Sequence, residues 1–261
     1  MFHLTKNDKI SRSLCGLSLP LKTIKIYPVK MRQVLEVGET QYSIFLALLI
    51  NPKKLIESLE VEVNEVEQRK LEVSDYDLLA AIIQTQPGLK QQVIKALNFF
   101  LPEYEIKYND SHRLLEIVQE EENILLDNEV YNELIDILKL QNFVKEQKQE
   151  EEEDEGQPAN AKAAQLLARR KKLKQDLKQA KEKTTEPLTF ADYISIVMGK
   201  GHILDANIIL NMTVYSFFDY IERIILIENY HVGIQQLLGG ADPAQVELKH
   251  WLCSLKEPKG D

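Results

Sequence analysis

Cysteine and tryptophan are scarce in this chain: Cys15, Cys253 and Trp251 are all it has. Two cysteines so far apart make no disulfide framework, and no C-x-x-C pair is present, so a reducing cytosol is the default setting. Long apolar runs are missing as well. The longest, Ile44 to Ile50, is far too short to span a bilayer. The opening "MFHLTKNDKISRSLCGLSLPL" scatters Lys and Arg and has no continuous apolar core, so it does not read as a signal peptide. Motifs that carry chemistry are also absent. The five histidines are dispersed, with no i, i+3 pair and no H-E-x-x-H, which argues against a metal site. "GKGH" at 199–202 lacks the spacing of a phosphate-binding loop and reads as a helix stop. A formal net charge of −9 disfavours nonspecific DNA binding as the main role.

What is present divides by composition. Residues 1–20 show no clear periodicity and are expected to be a loose tail. "LKTIKIYPV", Leu21 to Val29, alternates and is β-branched, which predicts a strand. Met31–Gly38 and Gln41–Ile50 predict short helices. Ser74 is an N-cap for "DYDLLAAIIQTQ", with Asp75 and Asp77 well placed in the first turn. After the Gln86-Pro87-Gly88 break, Val93, Leu97, Phe100 and Leu101 share one helical face. "YEIKYND" and "HRLLEIVQEEENILLD" predict short strands joined by polar turns. Asn128 is expected to cap "EVYNELIDILKLQN". Residues 21–144 thus predict a compact α+β domain.

The segment 145–186 has almost no large apolar residues and cannot bury enough surface to fold alone. Glu150 to Glu155 is an unbroken acidic block. Ala161 to Lys183 is rich in helix formers, so this segment reads as a charged linker, flexible or helical. Residues 187–261 predict a small helical bundle. Thr189 caps "FADYISIVMGKG", with Asp192 in the capping-box position. Thr213 caps a long helix that runs to about Leu238 and stops at Gly239-Gly240. A closing helix, "AQVELKHWLCSL", follows Asp242-Pro243. The fold class is mainly α: an α+β domain, a charged linker and a C-terminal bundle.

In the long helix Val214, Phe217, Phe218, Ile221, Ile224, Ile225, Glu228 and Val232 follow the helical repeat, and its apolar members make the pattern of a core face. Tyr215, Phe218 and Tyr220 crowd onto more than one side. A helix apolar on several sides is either central or contacts a partner, and both readings stand. Trp251 reads as a packing anchor, His250 as a helix-surface residue and Cys253 as a small buried hydrophobe. Basic residues crowd the stretch from Lys162 to Lys183, where Arg169, Arg170, Lys171, Lys172 and Lys174 form the candidate nucleic-acid site. No aromatic residue is interleaved to stack on a base, and the acidic block precedes it. A solvated linker is therefore the better reading, and a nucleic-acid-binding structural or virion protein is the alternative.

"LNMTVYSFFDYIERI…ENYHVGIQQLLGGAD…VELKHWLCSL" resembles the C-terminal part of tail assembly chaperones of tailed phages that infect Gram-positive bacteria. The resemblance covers about residues 187–256 and rests on Asn211, Met212, Thr213 and Tyr215, then Gly239 and Gly240, then Trp251. "IKIYPVKMRQVLEV" is similar, more distantly, to the opening of such proteins. The resemblance implies a non-catalytic protein of the host cytoplasm whose partners are the tape measure protein and the tail tube protein. It implies no cofactor, no metal and no membrane, and self-association is a further expectation. Large aromatics with a polar tip suit a surface that alternates between wet and bound states, which makes Tyr215, Phe218, Tyr220 and Trp251 the partner-binding candidates. The long form of this family is often made by a programmed ribosomal frameshift, for which codons of Lys171-Lys172 would be the shift point.

Overall fold

A computed structural model describes residues 4–53, 74–120, 123–144, 188–241, 243, 246 and 248–252. Met1–Val144 and Ile196–Asp261 form one compact unit, and Lys145–Ser195 a second. The architecture is mainly α, with two small antiparallel sheets in the N-terminal region.

The N-terminal region opens with helix α1, Lys6–Leu14, not with the loose tail expected for residues 1–20. Its start is a reciprocal cap. The Thr5 hydroxyl accepts from the Asp8 N–H, and the Asp8 carboxylate accepts from the Thr5 N–H at 2.9 Å. The Thr5 hydroxyl, which donates to the same carboxylate at 2.6 Å, and the Thr5 N–H hold the Asp8 carboxyl below its usual pKa. The helix ends in a Schellman turn, with Leu17 N–H donating to Arg12 O and Gly16 at φ 75°. Next comes a hairpin of β1, Leu19–Leu21, and β2, Ile24–Ile26. The single strand expected over Leu21–Val29 is thus two strands, turning at Lys22 with φ 50°. Leu19, Leu21, Ile24 and Ile26 all face the core. Lys22-Thr23 lacks the Asn-Gly or Asp-Gly signature of a tight hairpin, so the turn left no local signal.

Helices α2, Met31–Val37, and α3, Glu39–Ile50, follow. Beyond them lie α4, Asp75–Thr85, capped by Ser74 as expected, and α5, Pro87–Phe100, with Pro87 in its first turn. Strands β3, Glu105–Asn109, β4, Leu114–Val118, and β5, Ile124–Leu125, form a meander. Helix α6, Asn128–Gln141, is capped by Asp127, one residue before the expected cap.

Helix α6 is the centre of this region and packs on α1, α3, α4 and β1. Val130, Leu134, Ile137 and Leu138 are buried along it. Its polar groups are satisfied within the core. Tyr131 donates its hydroxyl to Leu49 O at 2.6 Å, and Gln141 Nε2 donates to Ile26 O at 3.0 Å. Tyr42 donates its hydroxyl to Asn142 Oδ1 at 2.9 Å. Burial pushes both the Tyr42 and the Tyr131 hydroxyl well above the ordinary phenol range.

The C-terminal part holds α7, Phe190–Lys200, α8, Ala206–Asn211, and α9, Val214–Leu238. Thr189 and Asp192 make the capping bonds expected of them, and Thr213 caps α9 by accepting from Ser216 N–H at 2.9 Å. Helix α9 ends in a second Schellman turn, with Ala241 N–H donating to Gln236 O and Gly240 at φ 91°. The closing helix is a correction. Val246 and residues 248–252 are not helical. Val246 and Leu248, two apart, both reach Gly233, which is the spacing of an extended chain. Packing against α9 has overridden the helix propensity of this stretch. Cys253 and the expected helix over Ala161–Lys183 lie outside the described residues.

Candidate functional site

Helix α9 carries the candidate surface, and its sides differ. Val214, Phe217 and Ile221 are buried where the first half of the helix packs on α1 and α6. Three- and four-residue steps carry the same stripe onward from Ile221 to Ile225, Glu228 and Val232. There it leaves cover: Ile225 and Val232 are each 49% exposed. The stripe is thus buried over the first half of the helix, and over the second it holds two half-exposed apolar side chains with Glu228 between them.

A second side of α9 is covered by the chain's own return segment. A Cβ on Gly233 would stand 2.9 Å from Leu248 Cδ1, so the missing side chain is what lets Leu248 sit down on the helix. Further back, the rings of Tyr230 and His250 meet edge to face at 5.0 Å. Arg223 Nη1 donates to Trp251 O at 3.1 Å. The segment thus runs antiparallel to α9. On a third side, the Tyr220 hydroxyl donates to Gly201 O, and Lys200 pairs with Glu228 at 3.0 Å. A Cβ on Gly201 would stand 2.6 Å from the Tyr220 ring, so this contact also depends on glycine.

Of the four residues singled out for partner binding, the structure brings Tyr215 and Phe218 together on Phe143 and sets Tyr220 and Trp251 apart. Tyr215 is buried, its ring edge to face with Phe143 at 5.2 Å. Phe218 is half-buried and stacks on the same Phe143 at 6.2 Å. Tyr220 is tied to Gly201, as described. Trp251 alone is open, at 40% exposure, and is not the buried anchor that its size suggested. Desolvation raises the Tyr215 hydroxyl pKa, and desolvation likewise raises that of the neighbouring Asp219 carboxyl, against the pull of Arg223. Arg169, Arg170, Lys171, Lys172 and Lys174 lie outside the described residues. No group of three His, Cys, Asp or Glu residues able to hold a metal occurs among the described residues. No helix among them is long and apolar enough to cross a membrane.

Phe143 was not singled out from sequence. It stands one residue past the cap of α6 with φ 57°, a position usually taken by glycine. Val144 N–H donates to Lys139 O and Phe143 N–H to Leu140 O, closing a Schellman turn around it. That geometry aims the ring between Tyr215 and Phe218. No sequence pattern marks a phenylalanine in that role.

Residues 178–256 match a family model described as the YomV second domain. That family is phage-derived. The matched stretch takes in α7, α8, α9 and the return segment, less than a third of the chain. Ile225, Val232 and the return segment on the other side of α9 therefore all lie within the YomV-like part, and Phe143 lies outside it. No curated protein and no solved structure matches the chain.

Proposed function

We propose that this chain is a non-catalytic phage tail assembly chaperone. It holds apolar helices of a tape measure protein and recruits tail tube subunits in the host cytoplasm. The observation that carries this reading is the half-exposure of Ile225 and Val232, which follow the buried Val214, Phe217 and Ile221 along α9. A surface of this kind suits a helix that lays its own apolar face alongside. The phage-derived match over 178–256 supports the setting, and the resemblance in Asn211, Met212, Thr213 and Trp251 supports the role. Trp251 and Leu252, at 40% and 70% exposure, supply a second apolar edge.

The test is capture of tape measure and tube proteins by the full chain, measured for the native sequence and for Ile225→Ser with Val232→Ser. Both positions are half exposed, so the double variant should fold. It should weaken capture by more than about 1 kcal/mol for each side chain that is a hot spot. Capture that is unchanged removes the stripe from the role. Failure of the native chain to capture either protein, with salt-sensitive DNA binding lost on neutralising Arg169 to Lys174, would install the nucleic-acid reading instead.

A further inference from the structure

The start of α9 is seated in the N-terminal region by a short, directional joint. Met31 N–H donates to Met212 O at 2.9 Å, and Val214 N–H donates to Val29 O at 2.9 Å. Lys30 and Thr213 form an isolated antiparallel β-bridge between these bonds. The Thr213 hydroxyl donates to Ser13 O at 3.0 Å while accepting from Ser216 N–H, and Thr213 is buried. Around this polar centre, α8 packs on α2, and α9 packs on α1 and α6. Ile209, Val214 and Phe217 are buried there. The donors and acceptors of the joint come from two stretches of chain, 13–31 and 212–214, and residues 145–187 stand between them in sequence.

We infer that this joint is exchangeable between copies: Met212–Val214 of one chain can seat on Ser13, Val29 and Met31 of a second chain. Every contact just named is regenerated in trans without new surface, because the socket and the insert are the same in each copy. Exchanging an identical element is a low-cost route to association when the connection allows it. The connection also sets the balance. Within one chain the insert meets its own socket at a fixed effective concentration, whatever the concentration of copies. Seating within one chain therefore dominates when copies are dilute, and seating between chains grows as they are concentrated. Mutual exchange closes a dimer, and donation onward to a third copy makes an open string. The partner is a second copy of this chain, so the inference stands apart from the tape measure reading.

Complementation tests it. Val214 and Met31 are each the first residue of a helix, where proline keeps the helix. Val214→Pro removes one donor and sets a ring carbon where Val29 O is seated, so the insert is spoiled and the socket is intact. Met31→Pro spoils the socket and leaves the insert intact. Each full-length variant alone should be monomeric by native mass spectrometry. Their equal mixture should form a heterodimer, with amide protection restored at the start of α9 in half of the chains. A mixture that equals the average of its parts overturns the inference. If either variant fails to fold, the native chain decides. Heavy-isotope and light copies, each carrying a protease site after Pro158, are mixed near millimolar concentration, diluted and cleaved at once. About half of the fragment pairs should then be heavy with light, against almost none in a control mixed only after dilution. Parental pairs alone in the concentrated sample overturn the inference.

Discussion

Phe143 shows how one side chain can justify an unfavourable backbone. The left-handed conformation costs a non-glycine residue about 1 to 2 kcal/mol. Each good ring-to-ring contact returns about 0.5 to 1.5 kcal/mol beyond simple burial, and Phe143 makes one with Tyr215 and one with Phe218. The balance predicts an inverted order among truncations. Phe143→Ala loses the rings' contact and keeps the strain, whereas Phe143→Gly loses the contact and relieves it. The glycine variant should be the more stable of the two by about 1 kcal/mol, although it removes more of the side chain. Chemical denaturation of both variants checks this, and a glycine variant below the alanine one would show that the φ of 57° carries no strain. At this scale the sequence is readable where a signal is local. Ser74 and Thr213 cap as their chemistry demands. The Thr5 and Asp8 box that starts α1 has the same spacing, but a helix so poor in large apolar residues offered little periodicity to support it.

Helix α9 and its return segment form an element-level pair held by a missing side chain. Gly233 lies within a helix of 25 residues, where glycine is about 1 kcal/mol worse than alanine. That penalty persists because Leu248 occupies the space. Gly233→Leu should therefore keep or raise the helicity of α9 while lifting residues 246–252 away. Trp251 is the chain's single tryptophan, so its emission reports the change directly. A red shift with undiminished circular dichroism is the expected result, and an unmoved emission would show that the segment is held elsewhere. Trp251→Ala itself should cost well under the roughly 3 to 5 kcal/mol of a buried aromatic, since the ring is 40% exposed. The long helix was legible from its cap, its repeat and its Gly239-Gly240 stop. The return segment was not. The sequence alone places Val246, Trp251 and Leu252 on one helix, whereas Val246 meets the notch at Gly233 together with Leu248, and Trp251 and Leu252 lie in a turn.

For the whole molecule, the mainly α class, the strands β3 to β5 and the positions of most helices followed from composition and periodicity. The seating of residues 212–214 on residues 13–31 did not. Thr213 and Ser13 stand 200 residues apart, and no local pattern announces such a pair. This seating shapes what proteolysis should show. The segment 145–186 lacks core-forming residues, so trypsin is expected to cut first between Arg169 and Lys183. The two pieces should then co-elute on gel filtration, because the bonds of Thr213, Met31 and Val214 do not depend on the cut. Elution as separate pieces would mean that the joint needs the covalent connection.

The same long separation has a meaning in time. A ribosome releases Ser13, Val29 and Met31 long before it reaches Thr213. At the usual pace of roughly 5 to 20 residues per second, about 10 to 40 s pass before the insert exists. During that interval each nascent chain presents an open socket on the polysome, beside neighbours that have just completed their own inserts.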